Sequence, residues 1–172
     1  MTNRHTLVLG GIRSGKSALA EHSIASGAGP VLYVATASAG DGEMAHRIQL
    51  HKQRRPSEWR LLEVPLELAG ALAAQDRDAP PAVLIDCMSL WVSNLLHAGD
   101  DRFRQERRAF LRAMADYRGD IVIVSNEVGL GMVAMDPLSR RFCDELGWLN
   151  QDLARHCDSV IMSVAGLPLT LK

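Results

Sequence analysis

The sequence predicts an α/β fold in which a mostly parallel central sheet is flanked by helices. Short continuous apolar runs recur along the chain, and most of them are followed by a helical segment. Such runs are typical of strands that are covered on both faces, and their alternation with helices favours parallel pairing. A glycine-rich turn between the first run and the first helix fits the same class, because such turns join a strand to a helix in α/β proteins.

The boundaries of the elements follow from these runs and from the glycine, proline and charged turns between them. Four buried strands are predicted at Thr6–Leu9, Val31–Ala35, Ala82–Asp86 and Ile121–Asn126. A short strand at Trp59–Val64 and two closing strands at Ser159–Val164 and Leu167–Leu171 complete the set. The predicted helices are Lys16–Ala25, Glu43–Arg54, Leu66–Ala74, Leu90–His97, Arg102–Tyr117 and Pro137–His156.

Length and composition narrow the class of protein. The chain of 172 residues suits one domain, residues 1–172, and 47% hydrophobic with 23% charged residues is typical of a soluble globular protein. A net charge of −1 gives no general attraction to nucleic acid, and no apolar run suggests membrane insertion or a signal peptide. Cys87, Cys143 and Cys157 lack C-x-x-C spacing, so we expect free thiols and a cytoplasmic location.

The glycine-rich turn matches the phosphate-loop pattern G-x-x-x-x-G-K-[ST]. Backbone N–H groups of such a loop point at phosphate oxygens, and the helix N-terminus adds favourable partial charge. Lys16 is expected to reach the β- and γ-phosphates, and the Ser17 hydroxyl to contact Mg²⁺. A chance glycine turn is the alternative, but the flanking strand and helix favour a P-loop NTPase-type domain that binds a nucleoside triphosphate. The loop residues are Gly10, Gly11, Ile12, Arg13, Ser14, Gly15, Lys16 and Ser17.

Loops at the carboxyl ends of the parallel strands are expected to form one ligand-binding edge. Asp86 ends the third buried strand, where a carboxylate can coordinate Mg²⁺ or contact an acceptor hydroxyl. Alternatively, Asp86 caps the helix that follows. Glu127, one residue beyond the fourth buried strand, is the competing acid. The segments that this edge gathers are Gly10–Ser17, Ala35–Asp41, Asp86–Ser89 and Asn126–Gly131.

The helix predicted after the second strand carries a basic face. Arg47, His51 and Arg54 are spaced i, i+4 and i+7, so they lie on one side of that helix. A solvated surface helix explains such a pattern. Beside a nucleotide, however, arginines can bind phosphates, and an imidazole can act as a base or take up a phosphoryl or nucleotidyl group.

Together these segments resemble the bifunctional cobinamide kinase / cobinamide-phosphate guanylyltransferase family of the adenosylcobalamin pathway. The resemblance covers nearly the whole chain, and its most specific parts are Asn126-Glu127-Val128-Gly129 and Arg47-Ile48-Gln49-Leu50-His51. It implies that a nucleoside triphosphate, ATP or GTP, phosphorylates adenosylcobinamide. It further implies that GMP is transferred from GTP to adenosylcobinamide phosphate, giving adenosylcobinamide-GDP.

The same resemblance assigns roles to individual residues. It implies that His51 is the histidine that becomes guanylylated, and that the protein forms a homotrimer, for which Leu90–Leu96 is a candidate interface. It also implies a set of nucleotide contacts beyond the phosphate loop, namely Ala35, Thr36, Ala37, Lys52, Gln53, Arg54, Arg55, Glu63 and Asp86.

Other functions remain compatible with the residues. A P-loop kinase of another pathway would form no covalent nucleotide adduct, and His51 would then be incidental. A non-catalytic GTP-dependent switch would bind GTP without turning over a corrinoid, and a family member that has kept only the guanylyltransferase activity would still need the loop to bind GTP.

Overall fold

The computed structural model describes residues 4–27, 29–37, 56–131 and 133–172. Within these ranges the chain forms seven strands and five helices. In chain order they are β1 (His5–Gly10), α1 (Lys16–Ala25), β2 (Val31–Ala35), β3 (Arg60–Glu63), α2 (Leu68–Ala73), β4 (Ala82–Asp86), α3 (Met88–Ala98), α4 (Asp100–Asp116), β5 (Ile121–Asn126), α5 (Pro137–His156), β6 (Ser159–Val164) and β7 (Leu167–Thr170).

The strands form one sheet in the order β3-β2-β4-β5-β1-β6-β7. All neighbouring pairs are parallel except β6 and β7, which form an antiparallel hairpin at one edge. The predicted fold class, a mostly parallel sheet flanked by helices, is confirmed. Its central strands β1, β4 and β5 are almost entirely buried, which explains why they appear in the sequence as continuous apolar runs.

Alternate side chains of the strands supply two cores on opposite faces of the sheet. Val8 of β1 packs with Ala20 and Ile24 of α1, whereas Leu7 and Leu9 point to the other face. That other face is covered by α2, α3, α4 and α5. Among the described residues, α1 is therefore the helix that covers the first face, and the sheet holds it directly behind the glycine-rich turn.

The apolar stretch Leu90–Leu96 belongs to the core of this chain. Trp91, Val92 and Leu95 are fully buried within α3. The Trp91 indole N–H donates to the Leu66 carbonyl (2.7 Å), and its ring meets the Phe110 ring edge-on at 5.2 Å. The prediction that this stretch faces a partner subunit is wrong for these side chains, because apolar character alone does not distinguish a core helix from an interface helix.

The connection between α3 and α4 is shorter than the predicted turn Gly99-Asp100-Asp101. Gly99, with φ of +101°, is the single residue between them. Asp100 and Asp101 were expected in the connecting turn, but they form the first turn of α4, where carboxylates are stabilised by the helix dipole. Helix α5 begins at Pro137 as predicted, because the Asp136 carboxylate accepts the Ser139 N–H at 2.8 Å.

The helices of the described residues bear on the prediction that the chain has no membrane-spanning segment. None of the helices in these ranges combines the length and the apolar character that crossing a bilayer requires.

A buried polar contact fastens α5 to the end of β5. The Ser125 hydroxyl donates to Asn150 Oδ1 (2.6 Å), and Asn150 Nδ2 donates to the Asn126 carbonyl (3.0 Å). Ser125 is fully buried, and Asn150 is 6% exposed. The contact therefore stabilises the strand that adjoins β1 at the carboxyl edge of the sheet.

We expect Asn150→Ala to lower the free energy of unfolding by about 2–4 kcal/mol, because it leaves the Ser125 hydroxyl and the Asn126 carbonyl without their partner. Urea denaturation of both proteins measures this difference. The matched control is Gln151→Ala on the exposed side of the same helix, which should change stability by less than about 0.5 kcal/mol. Equal denaturation midpoints for the two variants would contradict the prediction.

Candidate nucleotide-binding site

The phosphate-loop residues form the predicted strand–turn–helix unit. Strand β1 ends at Gly10, the backbone turns through residues 11–15, and α1 begins at Lys16. Arg13 and Gly15 have left-handed backbones, with φ of 56° and 91°. Ser14 N–H donates to the Gly11 carbonyl at 3.3 Å, which closes the turn. The turn thereby places the start of α1 at the carboxyl end of β1, where a phosphate would meet the helix N-terminus.

Lys16 lies across this turn. Its ammonium group donates to the Gly11 carbonyl at 3.0 Å and is only partly buried. A phosphate oxygen is a stronger acceptor for an ammonium group than a neutral carbonyl is. A bound triphosphate can therefore replace the Gly11 carbonyl as the hydrogen-bond partner of Lys16. Ser17 follows in the first turn of α1 and is also partly exposed. Ile12 and Arg13 are exposed at the outer side of the turn.

Three further residues of the predicted set occupy one row across adjacent strands. Ala35 of β2 pairs with Glu63 of β3 on one side and with Asp86 of β4 on the other. Because neighbouring strands lie about 4.8 Å apart, the Cα atoms of the two acids are about 10 Å from each other at the same edge. The structure thus brings Ala35, Glu63 and Asp86 together, on the side of the sheet that continues through β5 to the phosphate loop.

Thr36 has a different place. It is fully buried, and its hydroxyl donates to the Cys87 carbonyl (2.7 Å) while accepting the Cys87 N–H (2.9 Å). Its own N–H donates to the Asp86 carbonyl at 3.1 Å. These bonds hold the ends of β2 and β4 together, so a direct nucleotide contact by Thr36 would require this network to open. Ala37, the next residue, is partly exposed.

Asn94 makes structural contacts at this edge that sequence reasoning did not identify. Its amide Nδ2 donates to the Thr36 carbonyl (2.9 Å) and to the Pro65 carbonyl (3.0 Å). One α3 side chain therefore fixes the backbone beyond both β2 and β3. A polar amide within an apolar helical stretch was the available signal.

Asp86 and Glu127 both lie at the carboxyl edge of the sheet. Asp86 accepts the Tyr33 hydroxyl at 3.2 Å and does not cap α3, because Cys87 occupies the N-cap position. Strand β5 separates β4 from β1, so Glu127 is nearer to the phosphate loop along the sheet. Glu127 N–H donates to the Gly10 carbonyl (3.1 Å), and its carboxylate accepts the Gly129 N–H (2.9 Å). Because Cys87 and not Asp86 is the N-cap residue of α3, the helix-cap alternative for Asp86 is wrong.

The Cys87 thiol lies among these charged groups. Burial raises its pKa, and the negative charge of Asp86 raises it further, while a hydrogen bond with Ser89 and the positive charge of Lys16 act in the opposite direction. The net rise keeps this thiol protonated near neutral pH, which is the opposite of what an activated nucleophile needs. Cys87 is therefore a packing residue between the Asp86 strand end and α3.

Part of the predicted site lies outside the described residues. These residues are His51, Lys52, Gln53, Arg54 and Arg55, together with Arg47 and the helix predicted at Glu43–Arg54. Their place relative to the phosphate loop stays a prediction. Among the residues that the structure describes, no group of three or more His, Cys, Asp or Glu side chains could hold a metal ion by itself.

The chain is similar to known proteins both in sequence and in fold. Residues 6–171 match the family model described as cobinamide kinase / cobinamide phosphate guanyltransferase. The bifunctional adenosylcobalamin biosynthesis protein CobP of Pseudomonas aeruginosa is 50% identical over 167 residues, covering 96% of each chain. The corresponding protein CobU of Salmonella typhimurium is 39% identical over 180 residues, covering 96% of this chain and 98% of the relative.

Among solved structures, a prototypical ATPase from the type III secretion system of pathogenic bacteria superposes with a TM-score of 0.58 and 12% identity. The match covers 97% of this chain and 56% of the ATPase. At this identity the likeness concerns the fold alone.

Proposed function

Since the chain belongs to the cobinamide kinase / cobinamide phosphate guanyltransferase family, we propose that it phosphorylates adenosylcobinamide and then transfers GMP from GTP to the product. It is a transferase. The observation that carries the proposal is the phosphate loop between β1 and α1 in a chain that matches the family over residues 6–171. Residues 1–172 would act as one kinase/guanylyltransferase domain.

In the kinase step the protein must hold the γ-phosphoryl group and stabilise the negative charge that develops on it during transfer. The acceptor hydroxyl oxygen attacks the γ-phosphorus, the bond to the β-phosphate bridging oxygen breaks, and a nucleoside diphosphate leaves. Lys16 and the backbone N–H groups of residues 11–17 would stabilise the charge that develops on the transferred group. Asp86 and Glu127 are the acids at this edge that could take the hydroxyl proton.

The guanylyl step is proposed to pass through His51. An imidazole nitrogen attacks the α-phosphorus of GTP, and pyrophosphate leaves. An oxygen of adenosylcobinamide phosphate then attacks the same phosphorus, which releases His51 and gives adenosylcobinamide-GDP. The proposal for His51 rests on its spacing from Arg47 and Arg54 and on the family resemblance.

We propose Mg²⁺ as the metal that accompanies the triphosphate. The Ser17 hydroxyl and the Asp86 carboxylate are oxygen donors, which Mg²⁺ prefers, and phosphate-transfer sites commonly use one or two protein oxygens together with phosphate oxygens. The ion would supply positive charge that offsets the negative charge developing on the transferred phosphoryl group. Ser17 and Asp86 would hold it.

The remaining contacts and the assembly are proposed on the resemblance. Glu63, Ala35 and Asp86 lie in one row across the sheet edge. This row is the observation behind the proposal that the nucleotide extends from the phosphate loop along that edge. Thr36, Ala37 and Lys52–Arg55 would adjoin it. We further propose ATP and GTP as the triphosphates, a homotrimer and no nucleic-acid partner. Cys87, Cys143 and Cys157 are free thiols, which fits the proposed cytoplasmic location.

Product analysis tests the proposal. The protein with Mg²⁺, adenosylcobinamide and either ATP or GTP is expected to yield adenosylcobinamide phosphate, identified by mass. With GTP, adenosylcobinamide-GDP and an equivalent of pyrophosphate are expected to follow. Adenosylcobinamide phosphate supplied directly, with GTP, separates the second activity from the first. A folded protein that binds GTP yet leaves both corrinoids unaltered would overturn the proposal and favour the GTP-dependent switch.

A further inference from the structure

The β6–β7 turn holds the phosphate loop from behind. The Ser14 carbonyl accepts two hydrogen bonds, from the Ser163 hydroxyl at 2.7 Å and from the Gly166 N–H at 2.8 Å. Ser163 is the next-to-last residue of β6 and is only 2% exposed, so its hydroxyl faces the loop and not the solvent. Two donors on one carbonyl oxygen use both of its lone pairs and fix its direction.

The backbones of the loop and the turn touch because glycines stand at the contact. A Cβ atom added to Gly15 would lie 3.0 Å from Gly166 Cα. One added to Gly10 would lie 2.9 Å from the Ser163 carbonyl oxygen and would also overlap Ser14 Oγ within the loop. These distances are shorter than normal carbon contacts. Gly10 and Gly15, the two glycines of the phosphate-loop pattern, therefore also allow the loop to pack against this turn.

Fixing the Ser14 carbonyl also fixes the neighbouring N–H. In a planar trans peptide the C=O and N–H groups point in opposite directions. The Ser14–Gly15 peptide is trans and its oxygen points to the β6–β7 turn, so the Gly15 N–H points away from that turn. A loop that binds phosphate through backbone N–H groups depends on this orientation being set before the ligand arrives.

We propose that Ser163 is a positioning residue for triphosphate binding. Its hydroxyl, with the Gly166 N–H, holds the Ser14–Gly15 peptide so that Gly15 N–H is presented to the phosphates. This inference rests on the proposed function for its ligand, a nucleoside triphosphate with Mg²⁺. Ser163 itself is buried behind the loop and acts through Ser14.

The test measures equilibrium binding of GTP and of GMP to Ser163→Ala. We expect GTP to bind about threefold to tenfold more weakly, as for one lost hydrogen bond, while GMP, which lacks the β- and γ-phosphates, binds unchanged. Ser163→Thr, which keeps a hydroxyl and suits a strand, should restore GTP binding. Ser159→Ala is the matched control, since Ser159 is buried at the other end of β6 and its hydroxyl lies 3.4 Å from the Lys172 carbonyl.

Three results would overturn the inference. The first is GTP binding by Ser163→Ala at the wild-type affinity. The second is a loss that affects GTP and GMP equally, since a general loss of stability would act on both nucleotides. The third is the same loss of GTP binding in Ser159→Ala. Binding is measured without a corrinoid, so the test stays separate from the proposed reactions: wild-type protein that binds GTP but converts no corrinoid overturns those reactions alone.

Discussion

The His51→Ala protein is expected to phosphorylate adenosylcobinamide and to form no detectable adenosylcobinamide-GDP. The imidazole is the proposed acceptor of GMP, and removing a covalent nucleophile commonly lowers the rate by about 10³-fold or more. The kinase step uses the phosphate loop and no histidine nucleophile, so we expect its rate to remain within about tenfold of wild type. Supplying adenosylcobinamide phosphate with GTP measures the second step alone.

Labelled GTP shows the intermediate directly. Wild-type protein incubated with GTP labelled in the α-phosphate should retain the label through denaturing electrophoresis, lose it in acid as a phosphoramidate does, and yield one labelled peptide containing His51. His46→Ala is the matched control, a histidine five residues earlier in the same segment, and it should label normally. Retention of the label by His51→Ala, or equal loss of both activities in a folded variant, would contradict the division of labour.

The strands of the sheet were predictable because burial on both faces leaves a simple signature. Strands β4 and β5 match the predicted Ala82–Asp86 and Ile121–Asn126 residue for residue, since a covered parallel strand needs apolar side chains on both sides. Helix starts were harder to predict. Acidic residues are common both in turns and in the first turn of a helix, so their presence does not show where a helix begins. Asp100 and Asp101 were predicted in a turn but lie in the first turn of α4.

Strand order was beyond the sequence, and it matters for the site. Pairing between strands depends on tertiary packing, so nothing in the chain order indicates that β5 lies between β1 and β4. This placement brings Glu127 beside Gly10 and sets Asp86 one strand further away. Sequence alone could therefore identify both acids at the ligand edge but could not order them by distance from the phosphate loop.

Contacts between distant segments are the features around the phosphate loop and the sheet edge that sequence reasoning did not find. Ser14 and Ser163 are 149 positions apart, and Asn94 is 58 positions from Thr36. Ser163 lies near the end of β6, the strand next to the edge of the sheet. No local sequence pattern indicates that a serine there donates a hydrogen bond to a distant loop. The phosphate-loop motif predicts which residues would contact a triphosphate, whereas the residues that support the loop follow only from the folded arrangement.

The Lys16→Ala protein is expected to lose both activities while remaining folded. Among the described residues Lys16 makes one hydrogen bond, to the Gly11 carbonyl, from a partly exposed position, so its removal should change the free energy of unfolding by less than about 1 kcal/mol. Its effect on a bound triphosphate should be much larger, because a charge-assisted contact to a phosphate is worth about 1.5–3 kcal/mol, or about tenfold to a hundredfold in affinity. Transition-state charge raises the expected loss in kcat to about 10²-fold or more.

Equilibrium binding of GTP and rates for both steps, measured beside urea denaturation, distinguish this outcome from unfolding. Arg108→Ala is the matched control because it removes one positive charge from the exposed face of α4, away from the loop, and it should bind GTP as wild type does. Unchanged triphosphate affinity in Lys16→Ala would contradict the assignment of this loop. Loss of the kinase step alone would mean that a second nucleotide site serves His51, because one loop that binds the triphosphate for both steps requires both to fail together.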